Sequence, residues 1–125
     1  MSTPVGPYSP AVRAGQWLVC SGQIGTRQGE SGPELVEGGF AEQARQALSN
    51  VAGLLAGRRL GWANVVKTTV FLADIADYGT FNTVYLDALG TNRPARSVVA
   101  VAGLPMGALV EIEAWAYAGD TGAPA

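Results

Sequence analysis

The 125-residue chain has no histidine and a single cysteine, Cys20. No imidazole is therefore available to activate a serine or cysteine nucleophile, and no internal disulfide can form. Cys20 lies in the apolar run Trp17–Cys20 and reads as packed core, not as a reactive thiol. Charge is also scarce: 14% of residues are charged and 48% are hydrophobic, where an ordinary soluble domain has roughly a quarter charged. So little charge cannot cover a monomer comfortably, which predicts a homo-oligomer whose subunits bury apolar surface on one another. Eight Lys and Arg residues and a net charge of -2 argue against a nucleic-acid partner, since phosphate binding needs clustered cations. Arg58–Arg59 is the nearest approach to a cluster and reads as a solvated helix end. No apolar run reaches the roughly 18 residues of a membrane span, and MSTPVGPYSPAV lacks the charged start and apolar core of a signal peptide. A reduced, cytoplasmic protein is expected.

What is present fits one domain over residues 1–125, since a chain of this length can bury one core but not two. Residues 17–27 read as a strand that bends, or turns as a hairpin, at Ser21-Gly22-Gln23. The stretch from about Gln28 to Gly38 and the tail GDTGAPA are loosely composed and read as turns and terminus. From Phe40 the apolar residues Phe40, Ala44, Ala47, Leu48, Val51, Leu54 and Leu55 recur at helical spacing, predicting an amphipathic helix that starts after Gly38–Gly39 and ends by Gly61. Gln43, Gln46 and Asn50 form a polar stripe on it that reads as a brace for the preceding loop. Val65–Ala73 is rich in β-branched residues and reads as a strand. Asp74 or Asp77 then offers an N-cap for a second helix through Leu89, with Tyr78, Phe81, Tyr85 and Leu89 on its apolar stripe. Strands are expected at about Arg96–Ala102 and Leu109–Ala118. In the last of these Val110, Ile112, Ala114 and Ala116 share one face, while Leu109, Glu111, Glu113, Trp115 and Tyr117 share the other. The order ββαβαββ predicts an α+β domain, a mixed sheet with both helices on one face and the other face left for a partner.

Few residues remain to carry chemistry. Arg96, in PARSVVAVAGLP, can grip a planar carboxylate with two parallel hydrogen bonds. Glu111, in LVEIEAWAY, sits on an otherwise apolar face, where an unpaired carboxylate is costly to bury unless it lines a wet cleft; there it can move a proton or orient a water. These two are expected to face each other across a pocket roofed by an adjoining protomer. On spacing alone Arg96 is equally readable as a structural ion-pair partner. Glu113 is either the paired carboxylate or part of a salt bridge at a subunit contact. Tyr8 is a pocket residue or an aromatic anchor for the N-terminal turn, Ser21 a hydrogen-bond donor or a turn residue, and Asn82 a pocket residue or a brace for a loop.

GPYSPAV (Gly6–Val12), SGQI (Ser21–Ile24), LVEGGFAEQARQALSNV (Leu35–Val51), VVKTTVFLAD (Val65–Asp74), FNTVY (Phe81–Tyr85), PARSVV (Pro94–Val99) and LPMGALVEIEA (Leu104–Ala114) resemble, in order over about residues 4–118, the successive motifs of the RidA/YjgF family of reactive intermediate deaminases. The resemblance implies a homotrimer of chorismate-mutase-like subunits with sites in the clefts between neighbours. It also implies cofactor-free and metal-free hydrolysis of enamines and imines such as 2-aminoacrylate to 2-oxo acids and ammonia. By that resemblance Arg96 binds the substrate carboxylate and Glu111 positions or activates the attacking water, while Tyr8, Ser21, Gly22 and Asn82 line the pocket. Val98 stands where many members carry a cysteine whose backbone contacts the substrate, so a main-chain role survives and a thiol role does not. Pro10 replaces a common glutamine; residues 86–93 look short and 25–38 long beside some members. Two other function classes stay open at this point: a non-catalytic trimer that binds a small carboxylate for regulation, and the ribonuclease or translation-inhibitor role attributed to some relatives.

Overall fold

The computed structural model describes residues 3–121. Met1, Ser2 and the last four residues of the loosely composed tail lie outside the described residues. Among the described residues, seven strands and two α-helices follow in the order β1 (Ala11–Ala14), β2 (Trp17–Ile24), β3 (Thr26–Gly29), β4 (Gly32–Leu35), α1 (Phe40–Ala56), β5 (Val65–Leu72), α2 (Tyr78–Leu89), β6 (Ala95–Ala100) and β7 (Val110–Tyr117). Five strands make one mixed sheet in the order β1-β2-β7-β5-β6. β5 and β6 are parallel, while β7 runs antiparallel to both of its neighbours, β2 and β5. The last strand is thus inserted between β2 and β5, which precede and follow α1 in the chain.

Helical spacing in α1 places Ala44, Ala47, Leu48, Val51, Leu54 and Leu55 on its buried side, and α2 contributes Phe81, Val84, Tyr85 and Leu89. These pack on Leu18, Cys20, Val70, Leu72, Val110, Ile112, Ala114 and Ala116 from the sheet. The even-numbered set of β7 therefore faces the helices as its alternation predicts. The opposite face is uncovered among the described residues: Trp115 is 43% exposed, and Trp17 meets Trp115 and Tyr117 edge-on there, at 6.1 and 5.0 Å between ring centroids.

Several elements differ from the sequence reading. Asp74 caps a single 3-10 turn, Ile75–Asp77, by accepting a hydrogen bond from the Ala76 amide, and α2 begins only at Tyr78. Tyr78 is not a core residue of that helix: it is 42% exposed, and Val84 fills the buried stripe in its place. The region read as loose loop contains the hairpin of β3 and β4, a separate two-stranded sheet. Its strands are short and polar and include Pro33, so they carry no alternating signal. They are held from outside, because Asn50 of α1 donates to the carbonyls of Ile24 and Thr26 at 3.1 and 2.9 Å. Gln46 in turn donates to Asn50 Oδ1 at 2.8 Å. Gln43 accepts from the Leu109 amide at 2.9 Å, fixing the entry to β7. The polar stripe of α1 is thus a brace, as read, for the stretch before the helix, and Gln43 extends it to the start of β7. β1, four mostly exposed residues at the sheet edge, also has no strong sequence signal.

Candidate active site

Glu111 leaves β7 on the uncovered face, opposite Ile24 on one side and Phe71 on the other. The register of β2 against β7 breaks between Cys20 and Gln23, a bulge that carries Ser21 and Gly22 past the carboxylate without ladder partners on β7. Gly22 is what allows the approach. A Cβ there would stand 2.7 Å from the Glu111 carboxyl carbon. The Ser21 hydroxyl donates to the Ser9 carbonyl at 2.6 Å and its amide to the Pro10 carbonyl at 2.8 Å, tying the N-terminal segment to the bulge. Tyr8, on that segment, receives the Val5 amide on its hydroxyl at 3.3 Å and keeps its ring largely exposed. Tyr8, Pro10, Gly22, Gln23, Thr26 and Glu111 line one narrow cleft. Burial pushes the Glu111 carboxyl above its ordinary value of 4.5, and the negative charge of Glu113, two residues along the same face, pushes it further the same way. A carboxyl shifted in this direction holds or releases a proton nearer neutrality than a free glutamate does.

Arg96 sits elsewhere. It lies on β6, at the edge of the sheet, in register with Thr68 of β5. Thr68 is fully buried toward the helices and shares a 2.8 Å hydrogen bond with the Tyr85 hydroxyl of α2. Arg96 follows it to the same side. Its guanidinium carbon lies 4.9, 5.6 and 6.0 Å from the ring centroids of Tyr85, Tyr78 and Phe81, and Nη2 donates to the Tyr78 hydroxyl at 3.1 Å. Cation–π contacts of this kind hold a guanidinium by about 0.5–2 kcal/mol. Among the described residues the one ion pair joins Arg45 to Glu42, so the structural ion-pair reading of Arg96 finds no partner inside the described chain. Asn82, one turn after Tyr78 on α2, has a buried Oδ1 without a hydrogen-bond partner among the described residues, a polar atom of the kind that a ligand or neighbouring chain satisfies. Val98, two residues after Arg96 on the same side of β6, packs its side chain against the core, so only its backbone is offered at the sheet edge.

The structure therefore divides the residues expected at the site into two groups on opposite faces of one sheet. Tyr8, Ser21, Gly22 and Glu111 gather on the uncovered face. Arg96, Asn82 and Val98 gather on the helix side at the β6 edge. The expectation that Arg96 and Glu111 face each other from adjacent strands is corrected here: they are separated by β5, and their registers give them opposite parity. Sequence reasoning also missed the aromatic cradle of Arg96. Its one signal is the spacing of Tyr78, Phe81 and Tyr85 on the face of α2 that precedes PARS, which is equally a plain core stripe.

The family model described as Endoribonuclease L-PSP matches residues 1–118. A 2-iminobutanoate/2-iminopropanoate deaminase of Homo sapiens is 47% identical over 115 residues, 92% of this chain and 82% of that protein. The crystal structure of RidA from an Antarctic Psychrobacter species superposes with a TM-score of 0.86 at 39% identity, covering 93% of this chain and 92% of that one. That of E. coli TdcF with bound serine gives 0.81 at 34% identity, covering 93% and 91%. The chain belongs to this family, the RidA/YjgF family that its motifs resemble, and has its chorismate-mutase-like α+β fold.

Proposed function

We propose that this protein is a hydrolytic deaminase of small 2-imino and enamino acids, working in the cytoplasm as a homotrimer in which each site joins the Arg96 half of one chain to the Glu111 half of its neighbour. One observation carries the reading: a guanidinium held ready by aromatic rings and without an ion-pair partner among the described residues, and a half-buried carboxyl of raised pKa, each at an incomplete half-site of the same chain. The name borne by relatives at 45–47% identity, 2-iminobutanoate/2-iminopropanoate deaminase, supports the chemistry. The apolar, aromatic face around Trp115 supports assembly, since an exposed patch of this kind is a surface suited to burial against another protein chain.

The reaction needs little. Protonation of an enamine at its terminal carbon gives the iminium, the protonated imine; water adds to its carbon and gives up a proton, the nitrogen takes one up, and the C–N bond breaks as the new hydroxyl loses its proton to become the carbonyl, releasing ammonia and the 2-oxo acid. Arg96 clamps the carboxylate so that the imine carbon is presented to Glu111, which holds the water and carries its proton. Orientation of this kind is worth up to about 7–11 kcal/mol in ideal cases, and acid–base help typically about 10²–10⁴-fold.

The test is to generate 2-aminoacrylate with a dehydratase and follow 2-oxo acid and ammonia release. Acceleration by the wild type, lost in Arg96→Ala and Glu111→Gln, is expected; no acceleration, or full acceleration by Arg96→Ala, overturns the reading. The carboxylate-binding module is the second reading, favoured to the extent that TdcF was solved with bound serine. Binding without turnover, unchanged in Glu111→Gln, selects it. A ribonuclease is not favoured: the chain has eight cations in all and no histidine, and salt-sensitive RNA binding is the result that would restore it.

A further inference from the structure

The geometry points to Tyr78 as an additional substrate-binding residue of the carboxylate-binding half-site, one that orients Arg96 and donates a hydrogen bond from its own hydroxyl to the same substrate carboxylate. The inference rests on the deaminase reading and adds to it a residue that neither the sequence motifs nor the carboxylate–guanidinium pair supplies.

Tyr78 opens α2 and, unlike Phe81, Val84 and Tyr85 on the same helix, is 42% exposed. An exposed tyrosine ring at a helix start gains little from burial. Its hydroxyl is nevertheless engaged, by Arg96 Nη2 at 3.1 Å, while its ring flanks the guanidinium carbon at 5.6 Å. The neighbouring tyrosine is used differently: the Tyr85 hydroxyl is committed to buried Thr68 at 2.8 Å, and only its ring, 4.9 Å away, touches the cation. The two phenols thus have separate duties. Tyr85 is a fixed platform, and Tyr78 is the one whose polar end lies beside the guanidinium at the surface.

A phenol has two lone pairs and one O–H. Here one lone pair accepts from a cation, which leaves the O–H free and makes it a stronger donor, because a hydroxyl that accepts from a charged group is polarised by it. The remaining N–H groups of Arg96 and the O–H of Tyr78 then form one contiguous donor edge at the rim of the half-site. A carboxylate docked on that edge takes charge-assisted hydrogen bonds from both residues, and its plane is fixed by two side chains instead of one. The same contact restrains the guanidinium before substrate arrives, reducing the rotamer freedom lost on binding. Because the hydroxyl acts on the carboxylate and not on the imine carbon, it contributes equally to the ground and transition states.

The test is steady-state kinetics of wild type, Tyr78→Phe and Arg96→Ala on a 2-imino acid generated in situ, and on an uncharged imine of the same size lacking the carboxylate. Tyr78→Phe is expected to raise KM for the imino acid about tenfold with kcat little changed, the signature of lost uniform binding. With the uncharged imine it should match wild type. An unchanged KM for the imino acid overturns the proposal, as does an equal loss on both substrates, which marks a merely structural residue. If wild type itself accelerates neither reaction the deaminase reading fails, and calorimetry with 2-oxopropanoate then decides Tyr78 separately: weaker binding by Tyr78→Phe than by wild type supports the donor role, and equal or absent binding overturns it.

Discussion

Glu111 and Arg96 leave the same sheet through opposite faces: Glu111 in register with Phe71 on the uncovered side, Arg96 in register with Thr68 against the helices. No rotamer brings one to the other through a hydrogen-bonded sheet. Chemistry that needs both must draw them from two chains.

Complementation follows from that division. Arg96→Ala and Glu111→Gln should each be inactive alone, yet equal amounts unfolded and refolded together should regain activity. By random assortment in the proposed trimer about a quarter of the sites combine two intact halves. Activity of the mixture no greater than that of the separate variants would show that a site is not shared between chains.

Gly22 should be a catalytic rather than a structural position. A Cβ at residue 22 meets the carboxyl carbon of Glu111 at 2.7 Å and its Cγ at 2.9 Å, and the flexible end of a glutamate moves aside more easily than a backbone does. Gly22→Ala is therefore expected to lower kcat on the order of 10²-fold by misplacing the carboxylate, while the melting temperature stays close to that of wild type. A thermal shift assay beside the kinetics checks both halves of the statement.

The pH dependence has a definite sign. Burial, then the charge of Glu113, raises the Glu111 carboxyl above 4.5, so activity that needs the ionised form should rise with pH through a limb displaced upward from the ordinary glutamate value. Glu113→Gln removes a like charge, favours ionised Glu111, and should move that limb of the kcat/KM profile to lower pH. Stability runs the other way: with its folded value raised, Glu111 contributes stability that is present below the ordinary carboxylate value and lost as pH rises through the raised one. Wild type should lose more stability than Glu111→Gln over that interval, measured by urea denaturation at a series of pH values.

Gly25 tests the packing of strand against helix. A Cβ there would stand 2.5 Å from the Gln43 carbonyl oxygen and 2.7 Å from its Cα, and neither backbone can yield without parting α1 from the sheet. Gly25→Ala is expected to cost about 1–3 kcal/mol or more, read as a lower denaturation midpoint. Because the Gln43 side chain also holds the Leu109 amide, the start of β7 should show the accompanying chemical-shift changes.

Much of this was written in local pattern. The repeat of apolar residues from Phe40 to Leu55 requires a helix with one greasy side whatever surrounds it, and the alternation from Val110 to Tyr117 sorts β7 into a core face and an open one. Cys20 likewise lies where its apolar neighbours place it, 2% exposed, with burial pushing its thiol up to about 11. Family motifs named Arg96 and Glu111 without geometry. Local pattern could not supply the relative parity of those two residues. Alternation fixes which neighbours within a strand share a face, but the pairing of one strand with the next is set by turns, bulges and packing, and a slip of one residue exchanges the faces. The same holds for the β3–β4 hairpin, kept in place by Asn50 from a distant helix, and for Tyr78, whose aromatic character reads as core until the neighbouring strand sets a guanidinium beside its hydroxyl.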